Sequence, residues 1–485
     1  MIHFRVSNRR APRAAPGSVV PLLLLAPLAA GCNLLQPDPV TAGIALPGRL
    51  RAAEDTAEPA RWPEPDWWRG FGAPELDELM AAAMAANFDL AAAAARVREA
   101  DALVRVVGGA LLPVVDLSAG VTRSQSTASS SGALSRRRVG SASSLELVAS
   151  YEIDFWGRNR ANVESAEQAA FARRFDLGTV RLTTQASVAN TYFALLAAQE
   201  QVAIQQANLG AATRVLAILR DRLAVGTATG LQVAQQETLV AQQRAQLPAF
   251  LLQVEQNRNA LGLLTGRVPE SIEVRGGVFN RIRVPPVTPG LPSELLIRRP
   301  DVLAAEATLA SQQANVVAAR AALFPTIRLT GSGGFQSVAL ETLLRPESQI
   351  FSIAAGLTAP IFHGGTLRAQ VAAERARQEE LLALYRSAIV NALVDTENAL
   401  AALRLTTEQE RLQAQAVATA ERANAIAEEQ LRAGTIDLLT LLVTQQSLFT
   451  ARNLLAQARL ARLQAAVGLF RALGGGWGSV GGIPR

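Results

Sequence analysis

Four short segments of this chain alternate apolar with polar residues, and glycine turns lead the second and fourth into proline-free, helix-forming sequence. Val115, Leu117, Ala119 and Val121 alternate with Asp116, Ser118, Gly120 and Thr122. Leu145, Leu147, Ala149, Tyr151, Ile153 and Phe155 alternate with Glu146, Ser150, Glu152 and Asp154. Ile327, Leu329 and Phe335 alternate with Thr326, Arg328, Thr330 and Ser332, and Phe351, Ile353, Leu357 and Ile361 with Ser352, Gly356 and Thr358. A period of two predicts strands with one apolar face. Each run is about 10 residues, the length a tilted strand needs to cross a bilayer. A soluble sheet with one wet face produces the same alternation, but four such runs, placed symmetrically in an exported chain, favour a membrane wall. Four strands cannot close a barrel, for which roughly eight is the usual minimum. Open edges in lipid leave backbone groups unpaired at several kcal/mol each. The barrel must therefore be shared between copies, and three copies of four strands would give twelve.

The rest of the sequence repeats around these runs. "GALLPVVDLSAG" from Gly109 returns as "AALFPTIRLTGS" from Ala321. "IDFWGRNRA" returns as "PIFHGGTLRA", and "RLAVGTATGLQVAQQ" returns as "QLRAGTIDLLTLLVTQQ". The similar offsets predict a tandem duplication. Each half reads helix, strand, loop, strand, long helix, tight turn, helix. Residues 158–225 and 366–433 contain no proline, so each predicts a helix of roughly 100 Å at about 1.5 Å per residue. In the first, Val188, Leu195, Val202, Leu209, Leu216 and Leu223 recur every seventh residue, the mark of a left-handed supercoil seam. Shorter helices are expected near 75–110, 231–265, 300–322 and 438–472. Gly226 and Gly434 end the long helices, and the Ser-rich stretch from Arg123 to Ser143 reads as a mobile loop.

The N-terminus has the layout of an export signal: Arg5, Arg9, Arg10 and Arg13, then "VVPLLLLAPLAA", then small residues before Cys32. It resembles a bacterial lipoprotein signal. That resemblance implies that Cys32 is acylated and becomes the first residue of the mature chain. Asn33 is not the Asp that the best-known sorting rule associates with inner-membrane retention. Cys32 is the only cysteine, so a disulfide within the chain is impossible. His3 lies in the leader, which leaves His363 beside Gly364 and Gly365, where a turn residue is expected rather than a general base. No catalytic residue, metal site or cofactor is expected beyond covalent lipid on Cys32. The net charge is +6 and every basic residue is Arg, yet the arginines are scattered among Glu and Asp, so nucleic acid is not an expected partner.

The predicted organisation is a signal peptide (1–31), an acylated arm (32–73), a first repeat (74–266), an equatorial linker (267–299), a second repeat (300–472) and a Gly-rich tail (473–485). The strand pairs fall at 113–156 and 325–362, and the hairpin tips near 226–230 and 434–438.

With "WWRGFGAPELDELMAAAMAANFDLAAA" from Trp67, "LLIRRPDVLAAEA" through Arg299-Pro300-Asp301, and the "DFWGR" strand exit, the chain resembles the TolC-like outer-membrane efflux factors, lipoprotein branch. The resemblance implies a homotrimer, mainly α, with a shared 12-stranded β-barrel and a long α-helical coiled-coil periplasmic tunnel. It implies a passive exit duct for small molecules, anchored in outer-membrane lipid, with a periplasmic adaptor and an inner-membrane pump of RND type as partners. It places a gate at the second tip, with Leu439 and Val443 facing the pore. Relatives commonly carry Asp at the Val443 position and Arg at the Gln446 position; this chain has neither, which predicts an apolar constriction. Asp437 offers a carboxylate nearer the tip. The tip turns Gly226, Thr227, Gly230, Gly434 and Thr435 are the expected adaptor contacts. Arg299-Pro300-Asp301 reads as a helix start without chemistry. The alternative is a trimeric coiled-coil adhesin or structural surface lipoprotein, which needs no duplicated strand-pair plan.

Overall fold

The computed structural model describes residues 42–51, 61–128, 136–276, 279–287, 290, 292–475 and 477. The signal segment, Cys32 and most of the Gly-rich tail lie outside the described residues. In chain order the main elements are α1 (Pro74–Ala86), α2 (Phe88–Gly108), β1 (Val114–Ala128), β2 (Arg136–Ile153), α3 (Arg158–Ala224) and α4 (Gly230–Thr265). After the linker come α5 (Pro292–Leu296), α6 (Pro300–Ala321), β3 (Thr326–Ser337), β4 (Gln349–Thr358), α7 (Thr366–Ala433) and α8 (Leu438–Ala472). The chain forms two compact units: Val107–Ser165 with Gln312–Gln378, and Thr41–Val106 with Ala166–Ser311 and Glu379–Arg485.

The first unit holds one antiparallel sheet in the order β1-β2-β3-β4. Its register brings all four apolar parities onto one face. Leu117, Leu147, Gly333 and Phe351 form one row across the strands, and Val115, Ala149, Gly331 and Ile353 form the next. This face is open: Leu117 is 70% exposed, and Phe351 and Ile353 are each 86% exposed. The opposite parity carries Asp116, Ser118, Glu146, Glu152, Thr330 and Ser352. Neither β1 nor β4 has a partner on its outer side among the described residues.

Strand ends differ from the sequence-based expectation. β1 and β2 are 15 and 18 residues long, because their ladder continues through the Ser-rich stretch to the pair Ala128↔Arg136. Backbone pairing needs no apolar face, so the polar part of the hairpin was invisible to alternation. β4 stops at Thr358, two residues before Pro360, which has no N–H for a ladder; Ile361 lies beyond the strand.

Two junctions turn strand into helix. Asp154 accepts from the backbone N–H groups of Asn159 (3.0 Å) and Arg160 (2.9 Å), two orphan donors in the first turn of α3. Trp156 donates through Nε1 to the Pro325 carbonyl at 2.7 Å and stacks on Phe324 at 4.7 Å. At the second junction the His363 carbonyl accepts from the Thr366 N–H at 3.0 Å, so His363 is an exposed turn residue.

The second unit is built on packed rings and long helices. Trp67 stacks on Phe470 at 5.0 Å and Phe71 meets Phe193 at 5.1 Å. Full burial of such a side chain contributes roughly 1.5–3 kcal/mol. The Tyr192 hydroxyl donates to Glu75 at 3.3 Å, and burial first, then Glu75, pushes this phenol well above its usual range. The other Glu75 oxygen accepts from the Arg275 N–H at 3.0 Å, tying the 267–299 segment to α1. The single helix expected over 75–110 is split. Asn87 is extended, and its Oδ1 accepts from the Leu90 N–H at 3.0 Å while its Nδ2 donates to the Leu264 carbonyl at 2.9 Å. Asn competes with the helix backbone for its own bonds, so it starts α2 afresh.

The start of α6 is a clasp. Buried Arg299 donates to both Asp301 oxygens (3.0 and 2.6 Å), to Asp395 on α7 (3.1 Å) and to the Ala472 carbonyl ending α8 (3.3 Å). Burial disfavours its charge, but the two carboxylates outweigh burial and raise its pKa.

The tightest backbone approach in the sheet is at Gly334, where an added Cβ would lie 2.1 Å from the Leu145 carbonyl oxygen. At Gly333 nothing lies within 4 Å. Gly334→Ala is expected to destabilise the assembled protein by about 1–3 kcal/mol, with Gly333→Ala close to neutral. Thermal unfolding of the two variants in detergent checks this.

Candidate functional site

The helix tips concentrate the residues that the sequence singled out. At the first tip, Gly226 has φ 75°, the Thr227 N–H donates to the Arg222 carbonyl at 2.8 Å, and the Gly226 N–H donates to Leu223 at 3.0 Å. At the second, Gly434 has φ 74°, the Thr435 N–H donates to Gln430 at 2.9 Å, and the Gly434 N–H donates to Leu431 at 3.1 Å. Paired bonds of this kind close a helix through a left-handed residue, a position where glycine has no Cβ penalty. Thr227 and Thr435 add the same side-chain bond, each hydroxyl donating at 3.1 Å to the carbonyl five residues back. Gly230 is not a turn glycine but the first residue of α4. Thr229 caps that helix in a reciprocal box with Gln232.

Asp437 caps α8. Its Oδ1 accepts from the Thr440 N–H at 2.9 Å and from the Thr440 hydroxyl at 2.5 Å. The Thr440 side chain, then its backbone N–H, holds the Asp437 carboxyl below its ordinary range. Leu439, Val443 and Gln446 follow at i, i+4 and i+7, so they share one face of α8. Leu438, Leu441, Gln445, Leu448 and Phe449 are buried on the other. Leu439 is 61% exposed and Val443 is 57% exposed, so their apolar surface is left uncovered by the chain itself. Val443 and Gln446, with Leu442, border an open groove whose far wall is Gln235, Thr238 and Gln242 of α4. Gln446 donates to the Thr450 hydroxyl at 3.4 Å. The expected gate residues thus fall into two groups: Leu439, Val443 and Gln446 together, and Asp437 turned back onto the helix end.

Beneath this surface the four helices α3, α4, α7 and α8 share two apolar clusters. One contains Leu216, Leu219, Val233, Leu431 and Leu441; the other contains Ala212, Leu239, Leu448 and Phe449. The expected seven-residue stripe on α3 is only partly buried here: Leu216 is inside, but Leu223 is exposed. The buried series is instead Gln201, Gln205, Asn208, Ala212, Val215 and Leu219, spaced alternately by four and three. Gln205 donates to the Gln243 carbonyl (2.6 Å) and to its side-chain oxygen (2.9 Å), and Gln236 donates to the Ala212 carbonyl at 2.8 Å. Polar residues in a helical seam specify register at a cost in stability. A search for apolar residues alone misses them; the four-three spacing was the available signal.

Arg222 was also missed. Its Nη2 donates at 3.1 Å to each of the Leu431 and Arg432 carbonyls in the last turn of α7. One guanidinium from the first tip therefore caps the second, at the negative end of the α7 dipole. Among the described residues no group of three or more His, Cys, Asp or Glu converges to hold a metal.

The family model described as "Outer membrane efflux protein" matches residues 79–267 and 291–475. The chain is 42% identical over 451 residues to "Pyoverdine export outer membrane protein OpmQ" of Pseudomonas aeruginosa, covering 91% of this chain and 94% of that one. Among solved structures, it is similar to the outer-membrane channel OprN with a TM-score of 0.85 at 26% identity, over 92% of this chain and 100% of that one. It is also similar to the open state of the Neisseria gonorrhoeae MtrE outer membrane channel, with a TM-score of 0.81 at 28% identity, over 91% and 98% of the two chains.

Removing the Arg222 cap in Arg222→Ala is expected to loosen the second tip by about 1–2 kcal/mol. Amide exchange checks it: residues 430–440 should exchange roughly tenfold faster, while the ring cluster around Phe71 is unchanged.

Proposed function

The chain belongs to the outer membrane efflux protein family, and on that premise we propose that three copies close a common barrel and that the helix tips gate it. It is a TolC-like outer-membrane channel, the exit duct of an efflux system. The observation that carries the trimer is the sheet: four strands, an exposed apolar face, and two edges unpaired among the described residues. Three such sheets give twelve strands and leave no edge in lipid. The helices support the same reading. On α7, Leu384, Leu405, Leu412 and Ile426 are exposed and separated by multiples of seven, a seam left uncovered by the described residues of its own chain.

The proposed partners are a periplasmic adaptor and an inner-membrane pump of RND type. The tips support the adaptor: Gly226, Thr227, Gly434 and Thr435 form two turns with matching bonds, and Val225 and Leu231 stand exposed beside the first. Energy comes from the pump, which also selects the cargo. At the gate, Leu439 and Val443 form an apolar constriction that seals by dewetting, with Asp437 kept as a helix cap.

Acylation of Cys32 is proposed as the anchor. Within the described part of the arm, Arg386 donates to the Ala42 carbonyl at 2.7 Å, and the Arg51 N–H donates to Glu397 at 2.5 Å. The ten residues from Cys32 to Ala42 span up to about 33 Å when extended. Each buried CH₂ of lipid contributes about 0.8 kcal/mol.

Two experiments test these readings. Loss of the gene should abolish extrusion of a dye that the wild-type chain restores, and Cys32→Ala should take up no labelled palmitate. In planar bilayers, Val443→Asp should raise cation selectivity and introduce divalent-cation block; an unchanged current would remove Val443 from the pore wall.

A further inference from the structure

The helices follow the order of the strands they join. Asp101 of α2 pairs with Arg174 of α3 at 2.9 Å. Trp156, just before α3, stacks on Phe324, just after α6, at 4.7 Å. Gln312 of α6 donates to the Glu374 carbonyl of α7 at 3.0 Å. The row is therefore α2-α3-α6-α7, in step with β1-β2-β3-β4. The two shorter helices of the row are repeat counterparts: "FDLAAAAARV" from Phe88 returns as "PDVLAAEATL" from Pro300. Their surroundings differ. α6, inside the row, has one exposed residue, Glu306, among its 22. α2, at the end of the row, has 11 exposed residues among its 21, and Ala93 alone is buried.

The open face of α2 is a stripe. Phe88, Ala92, Ala95, Glu99, Leu103 and Val106 are spaced by four or three, and all are exposed, Phe88 at 67% and Val106 at 72%. A helix face of that spacing and composition is a packing seam, and its alanines admit a close neighbour. α7, at the other end of the row, has a matching face. Ala383, Ser387, Val390 and Val394 are spaced four, three and four, and all are exposed. Levels agree. At ~1.5 Å per residue, Ala92 lies about 24 Å from the end of α2 that leads to β1, and Ala383 about 26 Å from the end of α7 that follows β4. α2 leads into a strand and α7 leads out of one, so side by side they are antiparallel.

Pairing β1 of one copy with β4 of the next carries α2 of the first beside α7 of the second. We propose that the exposed stripe of α2 is the docking surface for α7 of the neighbouring copy, with Ala92 opposite Ala383 and Phe88 opposite Ser387. α2 thereby gains the second helical wall that α6 finds inside its own chain, and the helical part of the duct closes in the same step as the barrel. The inference rests on the trimer reading and assigns it a contact in the helices, apart from the strand edges.

The test is cross-linking of the full-length protein in mild detergent with a short bis-maleimide. Two double variants carry the proposed pairs: Ala92→Cys with Ala383→Cys, and Phe88→Cys with Ser387→Cys. The control joins Arg98→Cys, which lies off the stripe, to Ala383→Cys, and wild type, with Cys32 alone, is the blank. Each proposed pair should give dimer and trimer bands on a denaturing gel, roughly tenfold stronger than the control, because positions off a helix face do not meet its neighbour. Channel formation in planar bilayers by all the variants shows that they fold. Products confined to single chains would overturn the proposal, placing α2 against its own α7. Absence of cross-links from both pairs in a protein whose mass is that of three chains would also overturn it, leaving the α2 stripe to another occupant. A wild-type mass of one chain would instead remove the trimer reading itself, and this inference with it.

Discussion

Backbone N–H and C=O groups at a sheet edge have to find partners, and in hydrocarbon there is no water to supply them. In this chain the need falls on β1 and β4, the outer strands of a four-stranded sheet whose apolar face is open. Each unpaired group in lipid costs several kcal/mol, against a total stability of only about 5–15 kcal/mol for a folded domain. A single copy in a membrane would exceed that limit several times over. Association is therefore a condition of the fold and not an addition to it. The exposed seven-residue series on α7 meets the same condition in water, where helical seams and not backbone edges need covering.

The tips show a different balance. Each turn is locked by a left-handed glycine and two backbone bonds, and each following helix begins on a capped residue, Thr229 or Asp437. The turns are thus rigid locally. The seam beneath them is not a dry apolar stack, because Gln205, Asn208, Gln236, Gln243 and Gln445 occupy buried positions. Buried amides hold a register while they contribute less than leucine would. Rigid turns on a seam of modest stability suit the proposed gate. Arg222 joins the two tips through the α7 carbonyls, so the hairpins of one chain are tied where they end.

Much of this was legible in the sequence, for reasons that differ by element. Strand faces were readable because side-chain parity is fixed: once Leu117, Leu147 and Phe351 were assigned to one side, the register could only bring them together. Turns at Gly226 and Gly434 were readable because few residues tolerate positive φ. The full length of β1 and β2 was not, since a polar hairpin carries no hydrophobic signal. The break at Asn87 was hidden by the alanine-rich sequence around it, which favours helix on both sides. Buried glutamines and the Arg222 cap were hidden for one shared reason. Gln205, Gln236 and Arg222 each donate to a carbonyl of another helix, and one segment of sequence does not reveal that neighbour. Leu439 and Val443 came from a resemblance to a family; the structure gives their exposure on one helix face, not the pore they would line.

The most direct test of the requirement for companion chains is the mass of the intact protein extracted in mild detergent, with hydrogen exchange read at the outer amides of β1 and β4. The expected result is an assembly of three chains with those amides protected. A folded single chain with both edges equally protected would contradict it, because one copy would then have satisfied its backbone alone.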